Sequence, residues 1–337
     1  MPARVRPRRL SVAIVLVAAA IVLASTAVAM WGTRWTIAQA AAVQAQYVPR
    51  GDWDGRGAAG GPFQRPIGIA AAPSGDVYVT DRRARVVRLS PSGEVLSEWG
   101  REGDGKGEFR NPVGIAVGPD AAVYVSDYEQ DRIQKFTAGG DFILAFGRPG
   151  IAPGEFNAPA GLAVDGDGAV YVPDFYNHRV QKWQPDGSFQ HVVGRPGRLG
   201  PGALHYPTGV AITAHRELIV ADAYNYQLHW FALAGQPLRR AGYHLFWVWP
   251  RPVSASSGFA VPTGAAVDRE GLIHVADSGN HRVVMLSAEG EYVTQWGVPD
   301  ANRNVYSPEH LAVSPDGATV YATDVAGNRV LVVGVVR

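Results

Sequence analysis

One unit repeats along most of this chain, and its period limits what the chain can fold into. The fullest copy runs over Phe156–Gly194. It begins with Phe, has Pro three residues on, then Gly and a short apolar run. A Gly/Asp turn leads to a Val-Tyr-Val strand closing on Asp. A short loop reaches Arg-Val and a third strand, and a Pro-Asp-Gly turn leads to a fourth strand ending on Gly. The Pro recurs as Pro66, Pro112, Pro159, Pro207, Pro262 and Pro308, at spacings of 46, 47, 48, 55 and 46 residues. The Asp recurs as Asp81, Asp127, Asp174, Asp222, Asp277 and Asp324. Arg follows it as Arg85, Arg132, Arg179, Arg282 and Arg329, with Gln227 in that place in the fourth copy. Periods of roughly 20–50 residues mark repeat architectures, in which each copy buries its apolar face on its neighbours. Four short strands per copy and six copies, starting near residues 63, 109, 156, 204, 259 and 305, predict an all-β six-bladed propeller.

The pattern F-x-x-P-x-G-[IVL]-A-V, then V-Y-V-x-D-x-x-x-N-x-R-[VI], then D-G and W-G, resembles the NHL repeat over roughly residues 60–337. The resemblance implies the propeller fold. It says less about function, because that group includes binding scaffolds, sensor domains of membrane kinases, RNA binders and the peptidylglycine-amidating lyase.

The N-terminus has a different character. Residues 1–9 hold four Arg and no acid, and Leu10–Trp31 is a run of 22 uncharged residues. About 20 apolar residues span a bilayer, and Arg on the N-terminal side keeps that end in the cytoplasm. These features predict a basic cytoplasmic tail, an N-terminal transmembrane helix over 10–31, a linker over 32–40 and a propeller over 41–337 on the extracytoplasmic side of the cytoplasmic membrane. The rival is a cleaved signal peptide, since Ala27-Val28-Ala29 fits an A-x-A site; the protein would then be secreted.

There is no Cys, so disulfides and thiol chemistry are excluded. Beyond residue 37 the chain carries 26 basic against 30 acidic side chains, a balance of −4. That argues against a nucleic-acid partner, which needs a basic field.

The sixth copy ends after its third strand. Ala41–Gly51 is expected to supply the missing outer strand and so remove the last open edge. The extra length between the fourth and fifth copies falls in Tyr243–Gly258, which is rich in aromatic residues.

The recurring residues read as structural. Ala stands four residues after every Pro, and Gly two residues after five of them, as crowding near the axis requires. The Asp/Arg pair caps a hairpin. The Gly/Asp turns are turn chemistry, and none matches a calcium-binding loop.

Departures from the repeat point to function. His310 takes the Gly position of the sixth copy, beside Glu309, and is expected at the axial mouth. Aromatic residues gather in loops on one face as Tyr128, Phe175, Tyr176, Tyr224 and Tyr226, with Trp247 and Trp249 in the long loop. Tyr and Trp on one rim form a binding signature. Arg82, Arg83, Glu129, Glu309 and His310 are the polar candidates around it. The expected function is therefore a recognition or interaction module that docks an envelope or extracellular protein, peptide or glycan on this aromatic face.

The alternative is a metal-dependent lyase or hydrolase, of the amidating-lyase or lactonase type, at the axial mouth. The resemblance implies that the amidating lyase binds zinc through His placed directly after the Pro. Here those positions are Ile67, Val113, Ala160, Thr208, Thr263 and Glu309. Tyr176 and Tyr224 do occupy the place of that family's catalytic Tyr, two residues after the Asp. Without the ligands the sequence argues against an enzyme, and no metal or other cofactor is expected.

Overall fold

The computed structural model describes residues 45–242, 258–297 and 307–337. They form six four-stranded antiparallel sheets, each one blade of a propeller. The second blade shows the plan: Pro112–Val117 innermost, then Val123–Asp127, Arg132–Phe136 and Phe142–Phe146 outward. The sixth is assembled from both ends of the chain. Gln46–Trp53 is its outer strand, antiparallel to Arg329–Val336, with Gln46 opposite Val336 and Trp53 opposite Val330.

Six apolar clusters hold the ring, one in each gap between neighbouring blades. The residue that opens each of the first five repeats plugs such a gap: Phe63, Phe109, Phe156, Leu204 and Phe259 are all buried. The Gly that ends each fourth strand makes room for the plug. A Cβ on Gly100 would come within 2.8 Å of the Phe109 ring, and one on Gly147 within 2.5 Å of Phe156.

The inner strands meet backbone to backbone. A side chain at Gly68 or Gly114 would run into the carbonyl of Val113 or Ala160 on the next blade. Polar links close every one of these six junctions. Thr80 Oγ1 donates to Val113 O at 3.3 Å, Ser126 Oγ to Ala160 O at 2.6 Å, and Thr208 Oγ1 to Pro262 O at 3.2 Å. Thr263 Oγ1 donates to Glu309 O and Thr323 Oγ1 to Ile67 O, both at 2.8 Å. Between blades three and four the Gly161 amide donates to Thr208 O at 2.8 Å. The repeat Asp is a second structural device. Asp174 accepts the Asn157 amide at 2.7 Å and pairs with Arg179 at 2.7 Å, both side chains being buried.

One expectation about the fold is corrected. Among the described residues no helix is long and apolar enough to cross a membrane. The described residues form an all-β propeller, and none of them forms the expected transmembrane helix. The single-pass placement in the cytoplasmic membrane and the membrane contact are corrected to this extent: no described residue supports them. The segments 1–9, 10–31 and 32–40 lie outside the described residues.

Candidate functional site

A cavity of about 270 Å³ opens at the axial mouth, and the residue after the repeat Pro lines it from every blade. The Pro starts the inner strand, so the next side chain stands at the rim of the axis. At this position blades one to three supply the apolar Ile67, Val113 and Ala160. Blades four to six supply Thr208, Thr263 and Glu309. The two threonine hydroxyls are already committed to the blade junctions, and Glu309 is the ionisable group of this ring.

Glu309 is half-buried, and burial pushes its carboxyl up to about 7, against the opposing charge of Arg65 and a hydrogen bond from Thr263. Arg65 also lines the cavity. Its amide donates to Asn328 Oδ1 at 2.8 Å, while its side chain stands exposed at the mouth.

His310 forms the floor. It belongs to blade six, yet its Nε2 reaches Gly161 of blade three, where a Cβ would lie 2.9 Å from it. The imidazole therefore lies across the axis. Both ring nitrogens are shielded from solvent without a hydrogen bond of good geometry among the described residues. Burial lowers its pKa to about 4, with the Ile67 carbonyl opposing, so the ring is neutral near pH 7.

The other candidates fall into groups. Tyr128 and Phe175 line the cavity with Glu309 and His310. Tyr176, Tyr224 and Tyr226 stand on the rim at 50%, 45% and 45% exposure. Glu129 is exposed and accepts from Asn111 Nδ2 at 3.4 Å. Arg82 and Arg83 are exposed and do not line the cavity; Arg83 Nη1 donates to Gly60 O at 2.8 Å. Trp247 and Trp249 lie outside the described residues. Sequence reasoning missed Arg65, Asn111 and Tyr206. All three directly precede the repeat Pro, so aligning that column as well would have found them.

The metal implied by the lactonase or amidating-lyase alternative does not fit these residues. The mouth brings one carboxylate and one imidazole together, and among the described residues no group of three or more His, Asp or Glu could hold an ion.

The family model for the NHL repeat matches residues 63–84, 156–183 and 259–285. No curated protein sequence matches the chain significantly. Several solved structures share the fold. A streptogramin B lyase superposes with a TM-score of 0.59 at 14% identity, over 87% of this chain and 98% of that one. A catalytically inactive virginiamycin B lyase from Staphylococcus aureus with quinupristin gives 0.55 at 16%, over 85% and 83%. A gluconolactonase from Xanthomonas campestris gives 0.61 at 19%, over 89% and 93%. At these identities the likeness shows the shared fold.

Two functional expectations are corrected by these findings. The recognition module outside a membrane is corrected to this extent: no described helix supports that placement, and the fold it rests on is shared with lyases and a gluconolactonase. The reading against an enzyme is corrected likewise: the fold is one that lyases and a gluconolactonase share, so it does not argue against an enzyme. Missing zinc ligands exclude only chemistry that depends on that zinc, and a carboxyl group that titrates near neutral pH needs none.

Proposed function

We propose that this chain, an NHL-repeat six-bladed β-propeller, is a hydrolase of lactones or related esters that works at the axial mouth by general acid–base catalysis. The observation that carries the reading is the Glu309 carboxyl, half-buried in the wall of the cavity, with a pKa pushed up to about 7. A general base works best when its pKa lies near the working pH, because it is then both deprotonated and strong enough to take a proton. The gluconolactonase that shares the fold supports the same class.

In this scheme Glu309 takes a proton from a water molecule, whose oxygen forms a bond to the ester carbonyl carbon. The ester C–O bond then breaks, and the proton held by Glu309 passes to the leaving alkoxide. Arg65 faces the same space and stabilises the negative charge that develops on the substrate. Neutral His310 forms an uncharged floor beneath the substrate. No metal enters any step.

The test is ring opening of glucono-δ-lactone and δ-valerolactone, followed by pH-stat. The Glu309→Gln variant should lose roughly 100-fold or more of the catalysed rate, the usual contribution of a positioned base. Product mass separates two outcomes: hydrolysis adds one water, whereas elimination leaves the mass unchanged and reassigns Glu309 to a carbon acid. A protein that opens neither lactone above the buffer rate, or a variant that keeps full rate, overturns the reading.

A further inference from the structure

The cavity continues sideways into a ledge of aromatic rings. Phe175, in the cavity wall, lies 4.9 Å from Tyr206 and 5.0 Å from Tyr176, and Tyr206 lies 5.0 Å from Tyr224. Tyr128 joins the row from the cavity side, 6.2 Å from Phe175. The row crosses blades two to four. Its outer members are half-exposed, whereas half of the aromatic rings among the described residues are buried between blades.

The ledge is held rigid from beneath. Phe175–Asn177 and Ala223–Asn225 are single 3₁₀ turns. The Asn177 amide is bound to both oxygens of Asp174 and to Gly150 O, and the Asn225 amide to Asp222 and Gly197 O. The Tyr206 amide donates to His178 Nδ1 at 3.0 Å, and His178 stacks on His205 at 5.1 Å. Rings fixed in this way bind a partner with little loss of side-chain entropy.

We infer that the ligand of the axial mouth carries an uncharged aromatic group beside its reacting carbonyl, and that this group lies on the Phe175–Tyr206–Tyr224 ledge with Tyr176 at its side. The inference names the substrate class of the proposed hydrolase and rests on that reading. Continuity of the ledge with the cavity fixes the occupant as part of the same molecule. A sugar ring is disfavoured, because stacked sugars need free amides or carboxylates around the ring, and the Asn177 and Asn225 amides are already committed. A quaternary ammonium group is disfavoured too, because the rings touch one another and leave no hollow between them for a cation.

The test uses two pairs of probes. Dihydrocoumarin carries a benzene ring on its lactone and δ-valerolactone does not. The ratio of their kcat/KM values should fall about tenfold in Tyr176→Ala/Tyr224→Ala, mostly through KM, while an unchanged ratio overturns the ledge. The corresponding lactams, 3,4-dihydro-2-quinolinone and δ-valerolactam, are then titrated against wild type and the same variant. Preference for the aryl lactam in wild type, lost in the double variant, supports the ledge even if no lactone turns over, so the two readings fail separately. Equal binding of both lactams by wild type, or binding of neither, overturns it. Both tyrosines are half-exposed, and a thermal melt confirms that the variant is folded.

Discussion

The Tyr47 hydroxyl lies 2.6 Å from Nδ1 of His274, so the outer strand of blade six is tied to the second strand of blade five. The other ring nitrogen of His274 faces Asp268 at 3.5 Å, and Arg337, the last residue, reaches the same carboxylate at 2.5 Å. The outer strand of blade six and the residue that follows its third strand thus converge on one buried His274–Asp268 pair. Tyr47→Phe keeps the ring packing but leaves His274 Nδ1 without its partner. It should cost roughly 1–3 kcal/mol, the penalty of a buried unsatisfied group. Urea denaturation gives the figure, and an unchanged midpoint would show that the latch contributes nothing.

Buried and exposed ion pairs should separate clearly in this fold. Asp277 pairs with Arg282 at 2.8 Å, with both side chains buried, whereas Arg101 pairs with Glu108 at 2.6 Å with the Arg side chain 80% exposed. Asp277→Ala also removes the acceptor of the Ala260 amide, at 2.8 Å. It should destabilise by about 3–5 kcal/mol, because it strands a buried guanidinium. Arg101→Ala should cost less than about 1 kcal/mol. Comparable losses in both variants would remove the Asp/Arg hairpin as a major support of the blade.

Glu309 and His310 pull stability in opposite directions with pH. His310 falls from 6.5 to about 4 on folding, so the unfolded chain binds its proton first, and stability is lost as pH falls from 6.5 towards 4. Glu309 rises from 4.5 to about 7, so the folded chain keeps its proton longer, and stability is lost as pH rises through that window. Each effect is on the order of 3 kcal/mol. The two oppose each other between pH 4.5 and 6.5. Glu309→Gln should therefore uncover a stability that climbs with pH across this range, and His310→Asn one that declines. Parallel curves for the two variants would disprove the burial of both groups.

What the sequence displayed best was whatever recurs in one column. The Pro, Asp and Arg columns set the blades, and the column after Pro turned out to be the rim of the cavity. His310 stood out because it breaks a Gly column, although only the fold shows that its ring crosses to Gly161. The hydrogen bonds between blades were hidden because they have no single column. Thr80, Ser126 and Thr323 precede the repeat Asp, while Thr208 and Thr263 follow the repeat Pro, and one junction uses a backbone amide. Tyr206 was passed over as a link before Pro207, yet it joins the Phe175 and Tyr224 rings. The missing zinc ligands speak to one reaction only, while the unusual group at this mouth is a carboxyl whose pKa depends on burial, which no local motif encodes.

The pH profile of catalysis should carry the signature of Glu309. As a base it acts when deprotonated, so kcat/KM should rise with pH and level off above about 7. Burial raises that pKa and the Arg65 charge holds it down. Arg65→Met removes the opposing charge, so the rising limb should move to higher pH while the profile keeps its shape. The plateau should also fall, because the variant loses a cation that faces the developing oxyanion. If Arg65 served only to hold the loop before Pro66 through its amide bond to Asn328, the Met side chain would leave that bond intact. The limb would then stay where it was. Profiles of wild type and variant on one lactone decide between these, and a limb that moves to lower pH would show that a group other than Glu309 is titrating.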